Sequence, residues 1–108
     1  MEEKTILLVE IFKALSNPLR LKILKEIREK NVCQCDLALS LKEHPVNISR
    51  AIDLLEELGI VERQKRGNKI YPNIKIQKIF KIIEISEEIR KEIAKKRMEK
   101  YKSIFYNK

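Results

Sequence analysis

Cys33 and Cys35 stand one residue apart with Asp36 beside them. Further along, Val46, Asn47, Ser49 and Arg50 are followed by Arg63, Lys65, Arg66 and Lys69. Two kinds of chemistry are open to these residues. Thiolates bind soft ions, and oxidants convert them to sulfenates or mixed disulfides. Asparagine and arginine pair bidentately with base edges, a short hydroxyl side chain meets a phosphate, and lysines and arginines neutralise the backbone of a nucleic acid. No Ser/His/Asp arrangement, phosphate-cradling glycine loop or pair of catalytic carboxylates is present, and the single histidine, His44, limits acid–base chemistry. An enzyme is not expected.

The polar cluster needs a helix to carry it, and residues 45–59 provide one. Proline opens a helix readily because its missing N–H would have had no partner in the first turn. Glycine at the other end closes one in the left-handed conformation. Ile48, Ile52, Leu55 and Leu58 recur at helical spacing, which turns Val46, Asn47, Ser49, Arg50 and Asp53 away from the core. A helix with a small polar face near its N-terminus suits a major groove.

Upstream, residues 3–15 form a helix apolar over more than half its circumference, which must be covered on several sides. Asn17 and Pro18 restart the pattern as N-cap and first helical residue of a helix running to about Lys30, with Leu19, Leu21, Ile23, Leu24 and Ile27 inward. A short helix over residues 36–41 and the turn Lys42-Glu43-His44 lead into Pro45, with His44 as cap. Two helices joined by so short a turn read as a helix-turn-helix. The apolar period then falls to about two over residues 60–64 and 69–71, with Lys65-Arg66-Gly67-Asn68 as the turn between, a β-hairpin with a basic tip. From residue 74 to 105 no proline or glycine occurs. A helix of that length, about 45 Å, exceeds what the domain covers, so part of it should meet another chain.

The 108 residues therefore read as one domain of mainly α class with a β-hairpin wing (α+β): a winged helix-turn-helix with a long C-terminal helix, forming a homodimer through its terminal helices. Its parts are residues 1–15, a dimerisation helix; 16–59, the helices including the helix-turn-helix; 60–73, the wing; and 74–106, a second dimerisation helix. The net charge of +8 is uneven: residues 1–57 carry 9 Lys/Arg against 10 Asp/Glu, and residues 58–108 carry 15 against 6. A polyanion partner, double-stranded DNA, suits that asymmetry. No apolar run approaches the ~20 residues of a membrane span, and Met1 leads into Glu2 and Glu3 rather than a secretory signal. A cytoplasmic protein with no membrane partner is expected. In a reducing cytosol two cysteines so close in sequence read as thiols or ligands rather than as a disulfide.

The segments FKALSNPLRLKILKEI, NVCQCDLALSL and VNISRAIDLLEELGIVERQKRGNKIYPNI, in that order and spacing, closely resemble the ArsR/SmtB (arsenic-repressor) family over about residues 10–74. The resemblance implies a homodimeric repressor that sits on its own promoter and leaves when it binds a toxic metal, metalloid or other inducer. It implies recognition-helix roles for Val46, Asn47, Ser49 and Arg50, and a wing from Arg63 to Lys69 containing Lys65 and Arg66. Family members that sense arsenite carry a third cysteine where this chain has Ala38. Others use cysteines of the N-terminal arm, or Asp and His on the last helix, and here the arm has no cysteine and His44 lies outside that helix. Cys33 and Cys35 remain as the candidate site for As(III), Cd or Zn. Their joint use needs an irregular helix start, because residues two apart do not face each other on a regular helix, and Asp36, His44 or a partner-chain residue would complete the shell. A redox switch and an inherited pair without a sensing role are the other readings of the thiols. For the protein as a whole, the alternatives to a specific regulator are a nonspecific architectural DNA-binding protein and a winged-helix docking module.

Overall fold

The computed structural model describes residues 2–106 of the protein. Their elements run α1 (Glu3–Leu15), α2 (Pro18–Glu29), α3 (Gln34–Ser40), α4 (Pro45–Glu57), β1 (Val61–Arg66), β2 (Lys69–Ile74) and α5 (Ile79–Tyr106). The backbone divides between Ile76 and Gln77 into two compact units.

In the first unit each helix boundary has a local cause. The Asn17 side chain accepts the Arg20 N–H at 3.0 Å, and Pro18 takes the first helical position of α2. Arg20 does not point to water. Its Nε donates to the Ala14 carbonyl at 2.6 Å and its guanidinium to the Lys13 carbonyl at 3.0 Å. One cation therefore bonds two carbonyls of the last turn of α1, of which that of Lys13 also accepts from Ser16, and meets the negative end of the helix dipole. His44 caps α4 through Nδ1, which accepts the Val46 N–H at 3.1 Å. At the far end Gly59 adopts φ +74°, with its N–H on the Glu56 carbonyl and the Ile60 N–H on the Leu55 carbonyl. That pair of bonds is a Schellman closure, and only glycine enters it without strain.

Three boundaries differ from the sequence expectation. Helix α3 begins at Gln34, two residues early, because Cys33 acts as its N-cap. Strand β1 extends two residues further towards the tip than periodicity shows, while β2 begins at Lys69 as expected and runs on to Ile74. Lys65 pairs with Ile70 and Arg66 with Lys69, so the four-residue turn shrinks to Gly67-Asn68, with Gly67 at φ +64°. A two-residue loop with a positive φ at its first position matches the right-handed twist of the strands. Finally, Ile74 pairs with Val61 in the hairpin, and the last helix starts at Ile79 rather than at residue 74.

The core of the first unit is built from Ile23, Leu24 and Ile27 of α2, Leu37 and Ala38 of α3, and Ile48, Ala51, Ile52 and Leu55 of α4, closed by Ile60 and Val61. Strand β2 packs on α2 and α3, and β1 packs on α4. Each fully buried Leu or Ile contributes on the order of 2 kcal/mol, which holds the hairpin and α4 as one body. Along α1 only Ala14 is buried, whereas Leu7, Leu8 and Phe12 are more than half exposed. In the second unit Ile79 and Phe80 are buried, and Ile85, Ile89, Ile93, Met98, Tyr101, Ile104 and Phe105 along α5 are exposed. Among the described residues no helix is long and apolar enough to cross a membrane.

Candidate nucleic-acid interface and thiol site

Helix α4 presents Val46, Asn47 and Arg50 to solvent and Ser49 half-buried, while Ile48, Ala51, Ile52 and Leu55 face the core. The start of α4 is fixed as well as exposed. Glu43, just before it, accepts the Asn47 side-chain N–H at 2.7 Å and the His44 backbone N–H at 3.3 Å. These bonds favour the carboxylate, the Asn47 bond most, and hold Glu43 below the ordinary glutamate range, with the Lys22 and His44 charges adding to the effect. Asn47 commits only one of its amide hydrogens to this bond. Its carbonyl oxygen and other N–H, the pair needed to meet an adenine edge, stay available.

On the wing, Lys65, Arg66 and Lys69 are exposed. Among the described residues Lys65 and Lys69 have no ion pair. The Arg66 guanidinium lies over the Tyr71 ring, 4.9 Å from its centroid, and donates to Gln64 at 3.2 Å, which stiffens the wing near its tip. Arg63 departs from the expectation of a phosphate anchor. Its side chain is 19% exposed, with NH1 2.7 Å from Asp53 and 3.4 Å from Glu56 and NH2 2.6 Å from the Ser49 carbonyl, while its backbone N–H reaches Glu56. Arg63 fastens the wing to α4. The sequence does carry the raw material of this clamp, an arginine downstream of two acids three apart on one helix face, but the role depends on the distance between β1 and α4.

Cys33 and Cys35 are joined in a disulfide, which corrects the expectation of two thiols; their Cα atoms lie 5.3 Å apart. The bond is sterically open because Cys33 is extended rather than helical, at φ −80° and ψ 165°, the irregular start that joint use of the pair requires. Cys33 Sγ accepts the Asp36 N–H at 3.2 Å, and the Asp36 carboxylate accepts the Cys33 N–H at 3.4 Å, a capping box in which sulfur stands where a hydroxyl usually does. The two sulfurs and a carboxylate oxygen of Asp36 lie within 4.8 Å of one another. Among the described residues His44 does not join this group; its Nδ1 serves the cap.

A three-helix core carrying an exposed polar helix and a clamped basic hairpin defines a winged helix-turn-helix protein. The sequence model of the family described as "Bacterial regulatory protein, arsR family" matches residues 17–63. An uncharacterized HTH-type transcriptional regulator of Methanocaldococcus jannaschii is 35% identical over 81 residues, covering 74% of this chain and 91% of the relative. The cadmium resistance transcriptional regulatory protein CadC of Listeria innocua is 32% identical over 83 residues, covering 76% and 70%. Among solved structures, the homodimeric winged helix-turn-helix DNA-binding domain of Mb0332 from Mycobacterium bovis superposes with a TM-score of 0.73 at 18% identity, covering 87% of this chain and 91% of that one. The chain belongs to the arsR family of transcriptional regulators.

Proposed function

We propose that this regulator is a homodimeric repressor that reads one specific site on double-stranded DNA. Asn47 and Arg50 contact base edges, Val46 and Ser49 complete the groove-facing surface, and Lys65, Arg66 and Lys69 hold phosphates. Arg63 acts one step back, by setting the angle between wing and helix. The observation that carries the reading is the exposure of Asn47 and Arg50 at the capped start of α4, on the same body as Lys65 and Lys69, which have no ion pair among the described residues. Base readers and phosphate anchors must keep a fixed spacing to work together, and the Arg63 clamp supports that spacing. The exposed apolar residues of α1 and of α5 support dimerisation through these helices, which would present two copies of α4 to successive major grooves.

The test is affinity for the DNA upstream of the protein's own gene against a random duplex of equal length at physiological salt. A preference of ~10³ or more is expected. Equal binding to both, falling steeply with salt, would instead favour an architectural role, and no binding to either a docking module.

Two thiolates with a carboxylate are a donor set for a soft or borderline ion, and the reduced Cys33/Cys35/Asp36 group fits Cd, As(III) or Zn better than a hard cation. Its support is the grouping of the three donors within 4.8 Å and the cadmium resistance named for a relative. An ion held there would draw on the sulfur and the carboxylate that now cap α3, the first helix of the helix-turn-helix. That shared use is a direct route from inducer to DNA-binding surface.

A further inference from the structure

Cys33 is fully buried and its sulfur is tied to the Asp36 N–H, whereas Cys35 is exposed. Cys35 also lies on the wall of a groove formed with Gln34, Ala38, Leu39, Glu43 and Pro45, whose surface is mostly apolar and whose Leu39 is 78% exposed. Cys35 is thus the accessible residue of the pair, and the sulfur bonded to it belongs to a residue closed off from solvent. We infer that Cys35 and Cys33 form an oxidant-sensing couple for hydroperoxides, in which Cys35 is the sulfur oxidised first and Cys33 the one that resolves it. This inference does not depend on metal binding at the same residues.

The Cys35 thiolate attacks the terminal oxygen of a hydroperoxide; the O–O bond breaks, the alcohol leaves with a proton from solvent, and Cys35 becomes a sulfenic acid. The Cys33 thiolate then attacks Cys35 Sγ, the S–O bond breaks, and hydroxide leaves as water after taking up the proton Cys33 released. Two thiols are oxidised to the disulfide seen here, and one peroxide is reduced to alcohol and water. The groove favours this oxidant class over glutathione disulfide. Its mostly apolar wall, with Ala38, Leu39 and Pro45, accepts a neutral alkyl hydroperoxide more readily than a large, multiply charged peptide disulfide.

The experiment uses the full chain, reduced and freed of reductant, treated with hydrogen peroxide, tert-butyl hydroperoxide or glutathione disulfide and followed by intact mass. With the peroxides, wild type should lose two hydrogens. The C33S variant, treated with a peroxide and dimedone, should gain one adduct, on Cys35; the C35S variant should gain none. Serine is a competent N-cap, so C33S keeps the start of α3. As a check free of any variant, brief alkylation of reduced wild type should label Cys35 at least about tenfold faster than Cys33, since a buried thiol reacts only after local opening. Equal labelling, or an adduct confined to Cys33, would overturn the order of events. Oxidation of wild type to sulfinate without a disulfide would overturn the couple, and faster disulfide formation with glutathione disulfide than with either peroxide would overturn the oxidant class.

Discussion

Arg63 NH1 lies 2.7 Å from Asp53 Oδ1, so the first strand of the wing is bound by a charge-assisted hydrogen bond to the helix it accompanies. With the bonds to Glu56 and the Ser49 carbonyl, this arginine fastens helix and hairpin to each other at three points. Asp53 and Glu56 are 56% and 42% exposed, so water screens both pairs. Replacing Arg63 by alanine should therefore lower stability by only about 1 kcal/mol, read from a urea midpoint. Its effect on DNA should be out of proportion to that loss, with preference for the operator over random sequence falling as the wing loses its register. Loss of affinity for both duplexes alike, with preference intact, would return Arg63 to the role of a phosphate anchor.

Lys65→Ala gives the contrasting outcome. Lys65 is exposed and has no ion pair among the described residues, so the urea midpoint should not move. Operator and random DNA should both bind more weakly, and the slope of log affinity against log salt should become shallower by about 0.9 per lysine removed. An unchanged slope would take Lys65 off the phosphate backbone.

Arg50→Ala should cost roughly 1 to 3 kcal/mol at the operator and almost nothing on random DNA. Arg50 is exposed at the second turn of α4, whose buried neighbours Ile48, Ala51 and Ile52 are untouched by the change. Equal loss on both duplexes in a gel-shift titration would remove it from the base readers.

The Glu43–Asn47 bond carries a pH signature. Glu43 is held below its ordinary value of 4.5, first by the Asn47 bond and then by the His44 backbone N–H. A depressed carboxylate contributes stability that is present above the unfolded value and lost as pH falls through the folded one. The wild type should therefore exceed Glu43→Gln in thermal midpoint at neutral pH, and the gap should close as pH drops below 4.5. A gap that widens in acid would contradict the sign of the shift.

The thiol pair sets a condition on metal binding. In the disulfide neither sulfur is a thiolate, so added cadmium should give a sulfur-to-metal charge-transfer band only after reduction, and Asp36→Asn should weaken the reduced site. A band of equal strength without reductant would place the ion elsewhere.

Most of the helical frame was legible because its signals are local: Asn17-Pro18, His44-Pro45 and Gly59 mark boundaries within a few residues of where they act. The first strand reads too short at the tip because Lys65 and Arg66 are both polar on an exposed hairpin, where pairing is decided by the two-residue loop and not by alternation. The roles of Arg20 and Arg63 were hidden for another reason. Each cation is spent on groups 6 to 14 residues away in sequence, and no periodic pattern records such a partner. The disulfide is not legible in the sequence because the reducing cytosol argues for free thiols, and the extended N-cap conformation of Cys33 that lets the two sulfurs meet has no signal in residue spacing.

Dimerisation makes the last prediction. Phe12 is 59% exposed on α1 and Ile93 45% exposed on α5, each amid further exposed apolar side chains, a pattern that a lone chain in water gains nothing by keeping. Phe12→Lys or Ile93→Lys should shift sedimentation equilibrium towards monomer without lowering helix content, since neither side chain belongs to the buried core of its unit. If two copies of α4 must bind together, operator affinity should fall by far more than affinity for a single half-site. A variant that stays dimeric at each of the two positions would move the interface away from the terminal helices. One that becomes monomeric yet holds the operator as tightly as wild type would show that a single copy of α4 is enough.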